Sequence, residues 1–261
     1  MIIDAHAHIF PDKIADRAAE GIGSFYDLKI SYNGTLSALM QQGSAAGVDR
    51  YIVQSVATVP HQVESINNFI AQSVAQFPEQ LVGFGAIHPD YEDIPREVER
   101  VISLGLKGLK LHSDFQQFNI DDPKAFPIYE AAQGRLPILF HVGDPRYDFS
   151  SPRRLLNVVE RFPKLTVIGA HFAGWSMWEL SRELFSGGRI YTDLSSSLYA
   201  MEPNYAAELI RTLGSDKVMF GTDYPMWSAK EELERFNALP LTEYEREDIL
   251  CKNAMRLLGE I

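Results

Sequence analysis

Ile2–His8, the stretch IIDAHAH, opens the chain as a short apolar run that ends in two histidines. A run of this kind, apolar on both faces, is expected of a strand in a parallel sheet covered on both sides. Seven similar runs follow: Arg50–Val56 (RYIVQSV), Leu81–Ile87 (LVGFGAI), Gly108–His112 (GLKLH), Leu136–His141 (LPILFH), Leu165–His171 (LTVIGAH), Ile190–Ser195 (IYTDLS) and Val218–Asp223 (VMFGTD). The stretches between them are long enough for crossover helices. Thr35–Ala46, Val63–Phe77, Pro95–Leu104, Pro123–Gln133, Pro152–Phe162, Trp175–Phe185 and Asn204–Leu213 read as helical, several with proline at the first turn. Asp122 and Ser151 precede two of those prolines as expected N-caps, and Leu241–Leu258 is the expected closing helix, with Thr242 and Glu245 spaced as a capping box. Eight βα units in one continuous α/β domain, residues 1–261, predict a single (β/α)8 TIM barrel. A doubly wound sheet is the rival, but no glycine-rich phosphate loop follows the first strand.

The barrel reading gives the polar residues a meaning. Five of the seven histidines fall at predicted C-terminal strand ends: His6, His8, His112, His141 and His171. Strand eight ends in Asp223. In a barrel these ends meet at one mouth. Residues two apart on a strand share a side, so His6 and His8 can offer two imidazoles to one ion. His141 and Asp223 would complete a three-histidine, one-carboxylate set of the kind that suits zinc, iron or nickel, with a position left open for water. Each residue alone also has a plain structural reading. Asp223 can start a turn in Thr-Asp-Tyr-Pro, His88 reads as a turn residue and His61 as a helix start. The joint pattern argues for a ligand, because so many buried polar groups without one would be costly.

Composition excludes several other roles. The net charge is −11, and no cluster of basic residues points to nucleic acid. No signal peptide is expected, since Asp4 and His6 interrupt the N-terminus, and no apolar run approaches the ~18 residues of a membrane span. The single cysteine, Cys251, cannot form an internal disulfide and reads as a packed core thiol, so a reducing cytoplasm is the expected compartment. Oligomeric state is left open, a homo-oligomer included.

Five segments then carry a resemblance: Ile3-Asp4-Ala5-His6-Ala7-His8, Gly108-Leu109-Lys110-Leu111-His112, Phe140-His141-Val142-Gly143-Asp144, Gly169-Ala170-His171 and Phe220-Gly221-Thr222-Asp223-Tyr224-Pro225. In this order the chain resembles the amidohydrolase superfamily, in the amidohydrolase-related branch that includes aminocarboxymuconate-semialdehyde decarboxylase. The resemblance implies that His6, His8, His141 and Asp223 bind one divalent metal, most often zinc. It implies that His171 and Asp223 act in catalysis, His171 beside the metal. Binuclear relatives carry a carboxylated lysine at the end of strand four, and Lys110 sits near that place. Its Lys-Leu-His context resembles the mononuclear branch, so one ion is expected, with a second metal as the alternative. The expected chemistry is hydrolysis of a small amide, ester or lactone by a water whose pKa the metal lowers towards about 7. Decarboxylation of a small aromatic or unsaturated acid is the alternative, and a non-catalytic metabolite-binding barrel a further one. Two features favour hydrolysis: the loops leave little room for long insertions, and Arg146 is the only evident arginine for a substrate carboxylate. Lys110, His112 and Arg146 are expected to touch substrate. Phe115, Phe118, Tyr147, Trp175 and Trp178 are expected near the mouth as apolar walls. A TatD-type nuclease resembles the chain less, since no Gly-Glu-Ile-Gly-Leu-Asp-like segment follows strand three.

Overall fold

In a computed structural model covering residues 1–261, the eight apolar runs form one sheet in the order β1 to β8. The strands are β1 (Ile3–His8), β2 (Arg50–Gln54), β3 (Leu81–Ala86), β4 (Gly108–Leu111), β5 (Ile138–Phe140), β6 (Val167–Gly169), β7 (Tyr191–Asp193) and β8 (Val218–Met219). Every neighbouring pair is parallel. The seam closes through backbone bonds from Ala5 N to Phe220 O (2.8 Å), Asp223 N to His6 O (2.8 Å) and His8 N to Tyr224 O (2.7 Å). The chain is therefore a (β/α)8 barrel.

The barrel interior is filled by one apolar side chain after another from different strands, among them Ile3, Ile52, Val82, Leu139, Ile168 and Met219. Cys251 and Ala254, from the C-terminal segment, join the same cluster and close its floor. Asn253 ties that segment to the start of β8, its Nδ2 donating to Ser215 O (2.8 Å) and Val218 O (2.6 Å). A second, larger apolar layer lies between the strands and the surrounding helices, with Leu39, Ile70, Val98, Leu155 and Ile210 among its members. Each such side chain taken from water contributes roughly 1.5–3 kcal/mol, so this layer is what holds the helices on the barrel.

Two helices stand between β1 and β2. Helix α1 (Asp12–Tyr26) was not expected, and α2 (Leu36–Ala46) is the predicted crossover, capped by Thr35 Oγ1 accepting from Ala38 N (3.4 Å). Helix α3 (Val63–Gln76) and the helices Ile94–Ser103, Pro152–Arg161, Trp178–Phe185 and Pro203–Leu213 follow the predicted segments to within a few residues. Pro123–Gln133 resolves into a 3-10 turn and the short helix Phe126–Ala132. Asp122 caps that turn, whereas Ser151 sits at its helix start without a side-chain capping bond. The closing helix is broken: its capping box holds at Thr242 and Glu245, but a π turn at Asp248–Lys252 separates Glu243–Glu247 from Asn253–Leu258. Helix Ala229–Asn237 was also unexpected.

The strands are shorter than the apolar runs that contain them. Asp223 (φ 58°) and His171 (φ 60°) are both left-handed, and Phe172 and Ala173 continue the left-handed turn after His171. Such conformations cost L residues roughly 1–3 kcal/mol each and concentrate at functional sites. Neighbouring Gly143 (φ 101°) allows another close approach, since a Cβ there would lie 2.2 Å from Trp175 N.

Candidate metal centre

His6 and His8 leave β1 on the same side, with their Nε2 atoms 3.2 Å apart. Asp223 reaches them across the seam, its Oδ1 lying 3.4 Å from His6 Nε2 and 3.5 Å from His8 Nε2. The other oxygen, Oδ2, accepts from Ser196 Oγ (2.6 Å), which in turn accepts from Trp227 Nε1 (2.9 Å). One carboxylate oxygen is thus fixed and the other is turned to the imidazoles. Asp4 supports the arrangement from beneath, accepting from His6 N (3.1 Å) and Thr222 Oγ1 (2.6 Å).

Behind His6 stands Asp193, whose Oδ2 is 3.0 Å from His6 Nδ1. A carboxylate in this place fixes the proton on Nδ1 and leaves Nε2 bare. Burial lowers the pKa of His6 to about 4, with the Lys110 ammonium adding to the effect, and burial also lowers His8, His112 and His141. Each shift favours the neutral imidazole. Burial alone would raise Asp223, but the facing His6, His8 and His171 hold it well below the ordinary carboxylate range. Two imidazole Nε2 atoms and an ionised oxygen within 3.5 Å of one another fit a divalent cation by donor type and by charge.

The opposite wall holds the other predicted residues. His141 Nδ1 is 3.1 Å from His171 Nε2, and His171 Nδ1 donates to Ser195 O (3.0 Å). His141 is therefore in the same chamber as the His6–His8–Asp223 cluster but outside that compact group, held by His171. Its ring stacks on His112 at 3.9 Å. Lys110 is buried, with Nζ 3.2 Å from His6 Nε2, and burial lowers its pKa to about 8.

The chamber above these groups has a volume of about 530 Å³, and most of its wall surface is apolar. Its roof is α1. Ile14, Ala18, Ile22 and Phe25, spaced at helical intervals, face inward, and Arg17 lines the same wall. Tyr26, at the last turn of α1, places its hydroxyl 3.0 Å from His112 Nε2. Neither α1 nor Tyr26 was anticipated; the signal was the stripe Ile14, Ala18, Ile22, Phe25 directly after Pro11.

Of the aromatics expected at the mouth, only Phe115 lines the chamber, stacked on His112 at 3.8 Å. Phe118 belongs to the core, Trp178 packs against it, Tyr147 is largely exposed, and Trp175 abuts Tyr26 edge-on. Arg146 does not line the chamber either. Its guanidinium is bound by Asp144, donates to Phe25 O (2.7 Å) and lies over the Phe25 ring at 4.8 Å. It fastens the C-terminal end of α1, where a cation also meets the negative end of the helix dipole. His88 and His61 take the structural places expected of them, His88 accepting from Asp90 N in a turn (3.1 Å).

Comparison with known proteins adds the following. The amidohydrolase family profile matches residues 3–259. The chain is 24% identical to the 2-amino-3-carboxymuconate-6-semialdehyde decarboxylase of Caenorhabditis elegans over 63% of its own length and 58% of the relative's. It thus spans under two thirds of that curated relative. Among solved structures, 5-carboxyvanillate decarboxylase from Sphingomonas paucimobilis superposes with a TM-score of 0.73 at 19% identity, covering 99% of this chain and 98% of the other. Dihydroxybenzoic acid decarboxylase from Polaromonas sp. JS666, with bound manganese, gives 0.75 at 17%, covering 99% and 96%. The fold, the strand-end residues and a profile match over nearly the whole length agree: this chain belongs to the amidohydrolase family.

Proposed function

We propose that the chain is a metal-dependent decarboxylase of a small aromatic or unsaturated carboxylic acid. The observation that carries this reading is an apolar, aromatic-walled chamber set directly over a buried imidazole–carboxylate cluster. The activities named for its relatives support it, and they displace the hydrolase expectation in favour of its alternative. The arginine on which that expectation partly turned, Arg146, is committed to α1. The cations that line the chamber are Lys110 and Arg17.

In this reading His6, His8, Asp223 and His141 hold one divalent ion, manganese or zinc. When bound, that ion supplies Lewis-acid attraction for a substrate oxygen. Phe25, Tyr26 and Phe115 sandwich the planar body of the substrate, and Lys110 offsets negative charge beside His6. Loss of carbon dioxide leaves an electron pair on the vacated carbon, which must take up one proton. That proton comes from solvent water, and His171 and Asp223, which line the chamber, are placed to relay it. The apolar roof keeps bulk water from the charged carboxylate and favours departure of a neutral molecule.

The test is a panel of hydroxybenzoates, unsaturated dicarboxylates, lactones and amides offered to manganese- or zinc-loaded protein. Carbon dioxide release, with one deuterium at the vacated carbon in heavy water, is the expected result. Hydrolysis of a lactone or amide with no carbon dioxide from any acid would overturn it.

A further inference from the structure

Asp114, beside His141, has no role in the reading above. It lies in the helical turn Ser113–Gln116 that follows β4, with its side chain wholly enclosed. Neither of its oxygens has a hydrogen-bond partner. A carboxylate so buried and unpaired is costly, and such groups are kept where they act on a neighbour. The neighbour here is His141, whose Nε2 is 3.5 Å from Asp114 Oδ2. The other ring nitrogen, Nδ1, faces His171.

We propose that Asp114 is a positioning residue for His141: it accepts the Nε2–H proton and thereby leaves Nδ1 bare for the divalent ion. The inference rests on the reading of His141 as a ligand. It assigns to His141 the device that Asp193 supplies to His6, with the ring reversed. His6 gives Nδ1–H to its carboxylate and keeps Nε2, whereas His141 gives Nε2–H and keeps Nδ1.

A competing arrangement explains why an orienting group is needed. His112 Nδ1 accepts from Phe115 N (3.4 Å), so in the neutral ring Nε2 carries the proton and donates to Tyr26 Oη at 3.0 Å. The Tyr26 hydroxyl proton is then free to turn to His141 Nε2, 3.5 Å away. Accepting it would force the His141 proton onto Nδ1, where His171 Nε2 receives it at 3.1 Å. In that tautomer the lone pair needed by the ion is lost. Asp114 opposes it, because a carboxylate oxygen 3.5 Å from Nε2 is placed to accept from an N–H there.

The experiment compares wild type, Asp114→Ala, Asp114→Asn and His141→Ala on the full chain, with zinc affinity read by chelator competition. His141→Ala and Asp114→Ala are each expected to lose roughly 10- to 100-fold in zinc affinity. Asp114→Asn, which keeps an acceptor oxygen of the same shape, is expected to recover part of that loss. Nitrogen-15 spectra of zinc-loaded wild type are expected to show His141 protonated at Nε2. Zinc affinity unchanged in Asp114→Ala but lost in His141→Ala overturns the role of Asp114 and leaves the ligand reading standing. Affinity retained in His141→Ala overturns both. Two zinc ions in wild type and one in Asp114→Ala would make Asp114 a ligand and overturn its positioning role. If Asp114→Ala does not fold, the isosteric Asn variant and the wild-type spectrum decide, and an Nδ1-protonated His141 in the loaded protein refutes the proposal.

Discussion

His6 Nδ1 and Asp193 Oδ2 lie 3.0 Å apart, and both side chains are completely buried. The two residues are 187 positions apart in sequence, on β1 and β7, and only the closed barrel brings them together. Asp193 also receives His171 N (3.2 Å) and Ser195 N (3.1 Å) through Oδ1. One carboxylate therefore orients the His6 ring and holds the backbone at His171 and Ser195. Asp193→Ala is expected to lower zinc affinity roughly 10- to 100-fold. Chelator competition checks this, and unchanged affinity would show that His6 keeps its tautomer unaided.

His171→Asn is expected to keep the metal and lose turnover. Asparagine tolerates the left-handed backbone at this position, so the turn is preserved. A lost proton-transfer group lowers kcat by about 10²–10⁴-fold. Elemental analysis beside kcat distinguishes the outcomes: metal lost along with activity would make His171 a ligand.

Arg146→Ala is expected to loosen the roof without touching the metal. It removes the bond to Phe25 O and the cation stacked on Phe25 and Tyr26. Hydrogen exchange should speed up in the last turns of α1, and KM should rise more than kcat falls. Lysine should not rescue it, because the planar fork serves Asp144 and Phe25 O together. Equal protection of α1 in variant and wild type would contradict this.

Glu232 gives a pH dependence away from the metal site. Burial raises its pKa from 4.5 to about 7, and its Oε2 has no partner. Between pH 4.5 and 7 the folded protein holds a proton that the unfolded chain has lost, so this residue's contribution to stability falls as pH rises through that window. Glu232→Gln removes the effect at the cost of the charged bond to Arg235. Relative to wild type, the variant should gain at pH 8 over pH 4.5 by up to about 3 kcal/mol. Urea denaturation at the two values checks it; a difference that does not change with pH would refute it.

The barrel was legible because a covered parallel strand writes an unbroken apolar run, and all eight runs became strands. Their ends were less legible. Leu165–His171 reads as one strand, yet pairing stops at Gly169, because the chain turns left-handed at His171, Phe172 and Ala173. No local preference of L residues anticipates three such residues in a row. The convergence of His6, His8 and Asp223 could be read from strand spacing and order. Asp193 and Asp114 could not, since nothing in a sequence marks which carboxylate will stand behind a ring. Helix α1 was missed because α2 alone satisfied the β1–β2 crossover. Its glycines, Gly21 and Gly23, weaken the helical signal, and its inward stripe faces a cavity.

The plugged floor has a kinetic consequence. With Cys251 and Ala254 filling the far end of the barrel, the chamber has no way through the barrel axis. In the proposed decarboxylation, substrate and organic product therefore use the same side of the barrel. The product would keep the planar body of the substrate and compete for the place its successor needs, so turnover is expected to slow as it accumulates.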